Sequence, residues 1–174
     1  KELEDVIEEV KKLLKTVNEE SRRVAEEVRK LIREVSEELT EVIRRVERLV
    51  EEVATRVDRK EDLDRVRKRI EELVRRVEEV NRRSKRRIEE LEDELRKVDE
   101  ESRETIERLI DLLRRGLDLD TVLRRAEDIV RKNRKLAEEV LRRVKKIVEE
   151  NRKIAKEVLD DVRKLVEDVL RRAT

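Results

Sequence analysis

The side chains able to do chemistry in this 174-residue chain are hydroxyls, carboxylates, guanidiniums and amines, because histidine and cysteine are both absent. A serine or threonine hydroxyl is a poor nucleophile until a neighbouring base takes its proton, and no imidazole exists here to do so. The same absence removes thiolate nucleophiles, disulfides, zinc fingers and imidazole-held metals. Glu-x-x-His pairs of four-helix di-metal sites cannot occur either. Adjacent carboxylates such as Glu26/Glu27 and Glu89/Glu90 recur throughout, so no pair stands out as acid and base. They read as a solvated face. Gly116 is the only glycine, which excludes a glycine-rich phosphate loop. From these residues we expect no enzyme activity, no cofactor and no metal.

The densest basic run, Arg82-Arg83-Ser84-Lys85-Arg86-Arg87, has the charge to follow a phosphate backbone. Glu78 and Glu79 precede it at helical spacing, however, and Glu89, Glu90, Glu92, Asp93 and Glu94 follow closely. No aromatic residue is available for base stacking. With 49 basic against 48 acidic residues the net charge is only +1, and no nucleic acid partner is expected. A membrane partner is not expected either. No stretch approaches the ~18 consecutive apolar residues of a spanning helix, no signal-peptide pattern is seen, and the polar face lacks the aromatic anchors and basic bias of an interfacial helix.

What must position any side chain here is helix. Apolar residues run from Leu3 through Val6/Ile7, Val10, Leu13/Leu14 and Val17 to Val57 with a mean step of about 3.6, the α-helical period. A second run extends from Leu119 through Val122/Leu123, Val140/Leu141 and Val158/Leu159 to Ala173. A period of 3.6 rather than 3.5 predicts nearly straight helices. Although 56% of residues are charged, the regular stripe marks that charge as the wet face of amphipathic helices rather than as disorder. The stripe is often two residues wide, which suits a helix touching two neighbours. Acids four residues before bases, as in Glu8–Lys12, Glu19–Arg23, Glu26–Lys30, Glu138–Arg142 and Asp160–Lys164, add about 0.2–0.5 kcal/mol each.

Two turns divide the chain. Gly116 closes one helix, with Arg114 and Arg115 before it, and Asp118 caps the next, with Leu117 and Val122 spaced as a hydrophobic staple. The earlier turn is placed near 56–61, where the stripe lapses and Asp58-Arg59-Lys60-Glu61 matches a capping box. The predicted helices span about 2–56, 59–115 and 119–172, each ~80 Å long. Equal segments with short connections predict an all-α, elongated up-down-up three-helix bundle forming a single domain over 1–174. Residues 1–57 carry 13 basic and 16 acidic side chains, 58–115 carry 19 of each, and 116–174 carry 17 and 13. The first and third helices, side by side in such a bundle, thus have opposite net charge.

Polar residues interrupt the stripes at a fixed interval. Asn18 and Ser36, Ser84 and Ser102, and Asn133 and Asn151 are each separated by about five helical turns, so the members of each pair point the same way. Ser21 and Asn81 also fall on a stripe. Folding the chain at its turns brings Asn18, Ser102 and Asn133 to one height and Ser36, Asn81, Ser84 and Asn151 to another, ~27 Å away. A buried Asn or Ser without a partner costs about 1–3 kcal/mol. Grouped, these residues satisfy one another and hold the helices in register.

The five-turn polar repeat, the Val/Leu/Ile/Ala core, the Glu/Lys/Arg surface and the Gly116-Leu117-Asp118-Leu119-Asp120 turn resemble de novo designed parametric helical bundles with buried hydrogen-bond-network layers. The resemblance covers the whole chain, and it departs from that style only in having Leu119 where such designs often place proline after the capping Asp. It implies a stable scaffold without natural activity or natural location, soluble in the cytoplasm of an expression host. The alternative expectation is a helix-binding or oligomerising module, a switch cage or a subunit of a larger bundle. The second helix is poor in apolar residues between Ser84 and Ser102, which would leave a groove along the first and third helices for a partner helix or a second copy.

Overall fold

The computed structural model describes residues 2–173. Three helices account for nearly all of it: α1 (Leu3–Arg56), α2 (Lys60–Arg114) and α3 (Leu119–Ala173), of 54, 55 and 55 residues. No strand occurs among the described residues. Each boundary lies within one residue of its expected position.

The two connections are built differently. At the second, Gly116 adopts φ +101°, a conformation that side-chain-bearing residues rarely take. The Leu117 N–H donates to the Leu112 carbonyl at 3.0 Å and the Gly116 N–H to the Leu113 carbonyl at 3.1 Å. Those are the two reversed bonds of a Schellman closure. Asp118 then caps α3: its Oδ2 accepts from the Thr121 N–H at 3.2 Å and from the Thr121 hydroxyl at 2.8 Å. Leu117 packs with Val122 in one apolar cluster, completing the staple. The first connection departs from expectation by one residue. The Arg59 carbonyl accepts the first bond of α2, from Leu63 at 3.2 Å, so Arg59 stands at the cap position assigned to Asp58 by the capping-box pattern. A cap motif read without a glycine stop leaves just this kind of slippage.

Contacts cluster into two compact units, each drawing on all three helices: residues 1–29 with 88–144, and residues 30–87 with 145–174. In the first, Val6, Ile7 and Val10 pack with Ile106, Leu109, Ile110 and Leu113 and with Val122 and Ala126. Further along α1, the stretch from Asn18 to Arg29 meets the stretch of α2 from Glu92 to Arg103 and, on α3, Val140. Ascending α1 therefore means descending α2 and ascending α3, the up-down-up order of a three-helix bundle. In the second unit Val46 and Val50 of α1 lie against Ile70 and Val74 of α2, and Val66 of α2 lies by Leu165 and Val169 of α3.

Ten of the twelve largest fully buried side chains are valines. Valine has essentially one rotamer in a helix, so it loses little freedom on burial, and it is short enough to seat helices closely. The wider stripe is filled by its second members, such as Leu13, Leu31, Ile32, Leu49, Leu123 and Ile154, which are half-buried. Among the described residues only Leu3 and Leu112 are exposed large apolar side chains. On the surface, acid-before-base pairs close at Glu41–Arg45, Glu52–Arg56, Glu79–Arg83, Glu104–Arg108 and Glu139–Arg143. The spacing rule holds, although the pairs that close among the described residues are not the ones singled out from the sequence.

Candidate functional site

The polar residues of the stripes are the only buried polar side chains among the described residues: Ser102, Asn133 and Asn151 are 7%, 3% and 4% exposed. In the first unit the Ser102 hydroxyl donates to Asn133 Oδ1 at 2.7 Å. The Asn133 amide in turn donates to Asp99 Oδ1 at 3.1 Å, and the Ser21 hydroxyl of α1 is placed to favour the charged form of the same carboxyl group. In the second unit the Ser84 hydroxyl donates to Asn151 Oδ1 at 2.7 Å. From the first Ser–Asn pair to the second, the serine moves back along α2 by the same interval by which the asparagine moves forward along α3. Each unit therefore pairs α2 with α3 in the same antiparallel alignment.

The expected groupings need correction at α1. Asn18 does not join Ser102 and Asn133. It is half-buried, and among the described residues its Oδ1 accepts a long 3.4 Å bond from Arg103 Nη2 at the rim and no other. Ser21, one turn further along, is the α1 hydroxyl that acts on the Asp99 carboxyl. Counting from the turns gives the height to within a turn, but a turn is enough to exchange one side chain for another on a face that rotates by about 100° per residue. In the second unit Ser36 and Asn81 are half-buried, and among the described residues no side-chain hydrogen bond ties either to the Ser84–Asn151 pair. Ser36 contributes its backbone carbonyl, which accepts from Thr40 Oγ1 at 2.8 Å.

Asp99 is the member that sequence reasoning misses, since an Asp in a chain with 48 acids blends into the solvated face. A signal is present. Asp99 follows Asn81 by the same five-turn interval that separates Ser102 from Ser84, so Asp99 occupies a layer position. Burial pushes its carboxyl above the ordinary aspartate value, while the Ser21 hydrogen bond and the Arg103 charge pull the other way.

Beside this network, α1 and α2 leave a groove of about 370 Å³. Val24, Ala25, Val28, Leu95 and Val140 form its apolar lining, with Arg22, Arg29, Glu92, Arg96 and Arg103 among its polar residues. Glu92 is also held above its ordinary value, first by burial and then by Glu89 and Asp93, against the opposing charge of Arg29. The groove lies between α1 and α2, not along α1 and α3 as the apolar imbalance suggests. The reason is local: Ala25 is short, and Asn18 and Ser21 replace apolar side chains on the same stretch of α1. A smaller α1–α3 depression of about 190 Å³ does exist in the second unit, lined by Val35, Leu39, Val42, Ala155 and Leu159.

The edge between α1 and α3 is tied by charge. Arg134 grips Glu20 with Nη2–Oε1 at 2.9 Å and Nε–Oε1 at 3.1 Å. Arg152 grips Glu38 with Nε–Oε2 at 2.6 Å and Nη2–Oε1 at 2.9 Å, and reaches Glu34 at 3.8 Å. These pairs repeat at the five-turn interval on both helices and use the forked geometry peculiar to arginine. The Glu20 and Glu38 hydrogen bonds raise the two guanidinium values further, which leaves both arginines charged as before. Excess acid on α1 and excess base on α3 thus meet as specific contacts.

Chemically, the arrangement satisfies polar groups and holds a proton-binding carboxylate. Among the described residues no group of three or more acidic side chains is placed to hold a metal ion, and no helix is long and apolar enough to cross a membrane. Comparison with protein families, with curated proteins and with solved structures finds no match to this chain.

Proposed function

We propose that this chain is a structural scaffold of designed type without catalytic role, its three helices held in register by buried Asn/Ser contacts. The observation that carries the reading is the recurrence of one Ser–Asn hydrogen bond, 2.7 Å in each unit, in the same α2–α3 alignment. A ligand site concentrates its exceptional chemistry in one place, whereas a register device is repeated along the helices. The satisfaction of the buried polar side chains supports the same reading: no fully buried side-chain nitrogen or oxygen lacks a hydrogen-bond partner among the described residues. The test is refolding of the isolated chain without additives, followed by mass determination. A reversible, concentration-independent transition and a mass near 21.1 kDa are expected. A chain that folds only as a multiple of that mass refutes the monomeric scaffold.

The second reading, a helix-binding or oligomerising module, draws on the α1–α2 groove and its apolar residues Val24, Ala25 and Val28. Under it, the mass in solution is a multiple of one chain, or a partner helix occupies the groove and protects half-buried Val24 and Ala25 from solvent.

A further inference from the structure

We propose that Asp99 makes the packing of the first unit sensitive to protons: ionised, it weakens the contact among α1, α2 and α3 at this level, and protonated, it tightens it. The inference rests on the geometry around the carboxyl group and is independent of the scaffold reading.

Three features of that geometry matter. Asp99 is half-buried beside a groove that mixes apolar and charged side chains, so its charge is only partly hydrated. Both other helices reach it: the Asn133 amide of α3 donates to it at 3.1 Å, and Ser21 of α1 lines the same groove and acts on its charge. Whatever Asp99 gains or loses on titration is therefore felt by all three helices. Its counterpart five turns back along α2 is Asn81, an uncharged residue of nearly the same shape.

The surrounding charges do not cancel that of Asp99. From α1, Arg22 and Arg29 line the groove, with Arg29 acting on Glu92. On α2 itself, Arg96 pairs with Asp93 at 2.8 Å and Arg103 leans to Asn18, exerting the opposing charge on Asp99. From α3 the neutral Asn133 faces it, and the adjacent Arg134 is turned to Glu20. Burial outweighs these cations, and the Asp99 carboxyl stands above its ordinary value.

The sign follows from linkage. A carboxyl with a raised value in the folded chain binds its proton more tightly there than in the unfolded chain, where the value is about 3.9. Stability from this group is lowest above the folded value, rises as pH falls through it, and levels off below about 3.9. This is opposite to the ordinary aspartate, whose salt bridge is lost in acid. On protonation the carbonyl oxygen of Asp99 still accepts from Asn133, so that bond survives while the partly desolvated charge disappears.

The test compares Asp99→Asn with the parent by chemical unfolding at pH 7.5 and at pH 4. The ratio of their folding constants isolates one group, since all other carboxyls are shared. We expect the variant to be favoured at pH 7.5 and the ratio to move towards the parent by more than about threefold on acidification, beyond the scatter of such fits. A ratio constant within that margin, or moving the other way, overturns the proposal. A direct reading comes from the side-chain carboxyl carbon shift in NMR. Asp99 is expected to titrate above the ordinary aspartate value of about 3.9, and a midpoint at or below that value also overturns the proposal.

Discussion

Replacing Asn133 by alanine tests the register network most sharply, because Asn133 is the residue through which three side chains are joined. It is 3% exposed, accepts the Ser102 hydroxyl at 2.7 Å and donates to Asp99 at 3.1 Å. A neutral hydrogen bond is worth about 1 kcal/mol net and one to a charged group about 1.5–3 kcal/mol. The Asp99 bond belongs at the lower end, because the carboxylate is half-open to water. The stranded Ser102 hydroxyl can turn to the carbonyl four residues back in its own helix, offsetting part of the loss. The expected cost is therefore about 2–3 kcal/mol. Asn151→Ala removes a single bond, to half-buried Ser84, and is expected to cost about 1 kcal/mol. The two losses should differ by a factor of about 5–30 in the folding constant. Far-ultraviolet circular dichroism in a denaturant series is the assay, since the chain has no Trp, Tyr or Phe to report by fluorescence. Equal losses for the two variants, or less than about 0.5 kcal/mol for Asn133→Ala, would refute the picture of a network centred on Asn133.

Gly116→Ala is expected to cost about 1–2 kcal/mol through backbone strain alone, because φ is +101° and nothing lies within 4 Å of the added Cβ; the thermal midpoint should fall accordingly. Asp118→Ala should lose about 1 kcal/mol with the α3 cap, and Asp118→Ser should recover most of it in the same unfolding assay. Arg152→Gln should lose less than about 1 kcal/mol, both partners being substantially solvated. That small loss should shrink in ~1 M salt, where screening acts within about 3 Å, whereas the loss from Asn133→Ala should persist.

Secondary structure was legible in the sequence nearly to the residue, because it is a local matter. A 3.6-residue stripe, one glycine followed by a capping aspartate and an absence of other breakers leave few alternatives to three long helices. The five-turn interval between Asn133 and Asn151 and between Ser84 and Ser102 likewise put each pair on one face of its helix and the four residues at two heights, since residues a whole number of turns apart share a helix face wherever that helix packs. The opposite net charge of α1 and α3 was legible as well, and Glu20–Arg134 and Glu38–Arg152 are contacts in which it is expressed.

Tertiary structure alone decided which polar residues touch. Asn18 and Ser21 are one turn apart, and whether the first or the second enters the network depends on the rotation of α1 about its axis, which the packing of valines against α2 and α3 sets. Asp99 shows the same limit: its sequence neighbours place it among dozens of solvated acids, and only the approach of α1 and α3 takes part of its surface from water and lifts its proton affinity. The sequence determined where each side chain lies along a helix and on which face. Helix packing determined which of those faces lost their water, and that loss is what separates a solvated charge from a functional one.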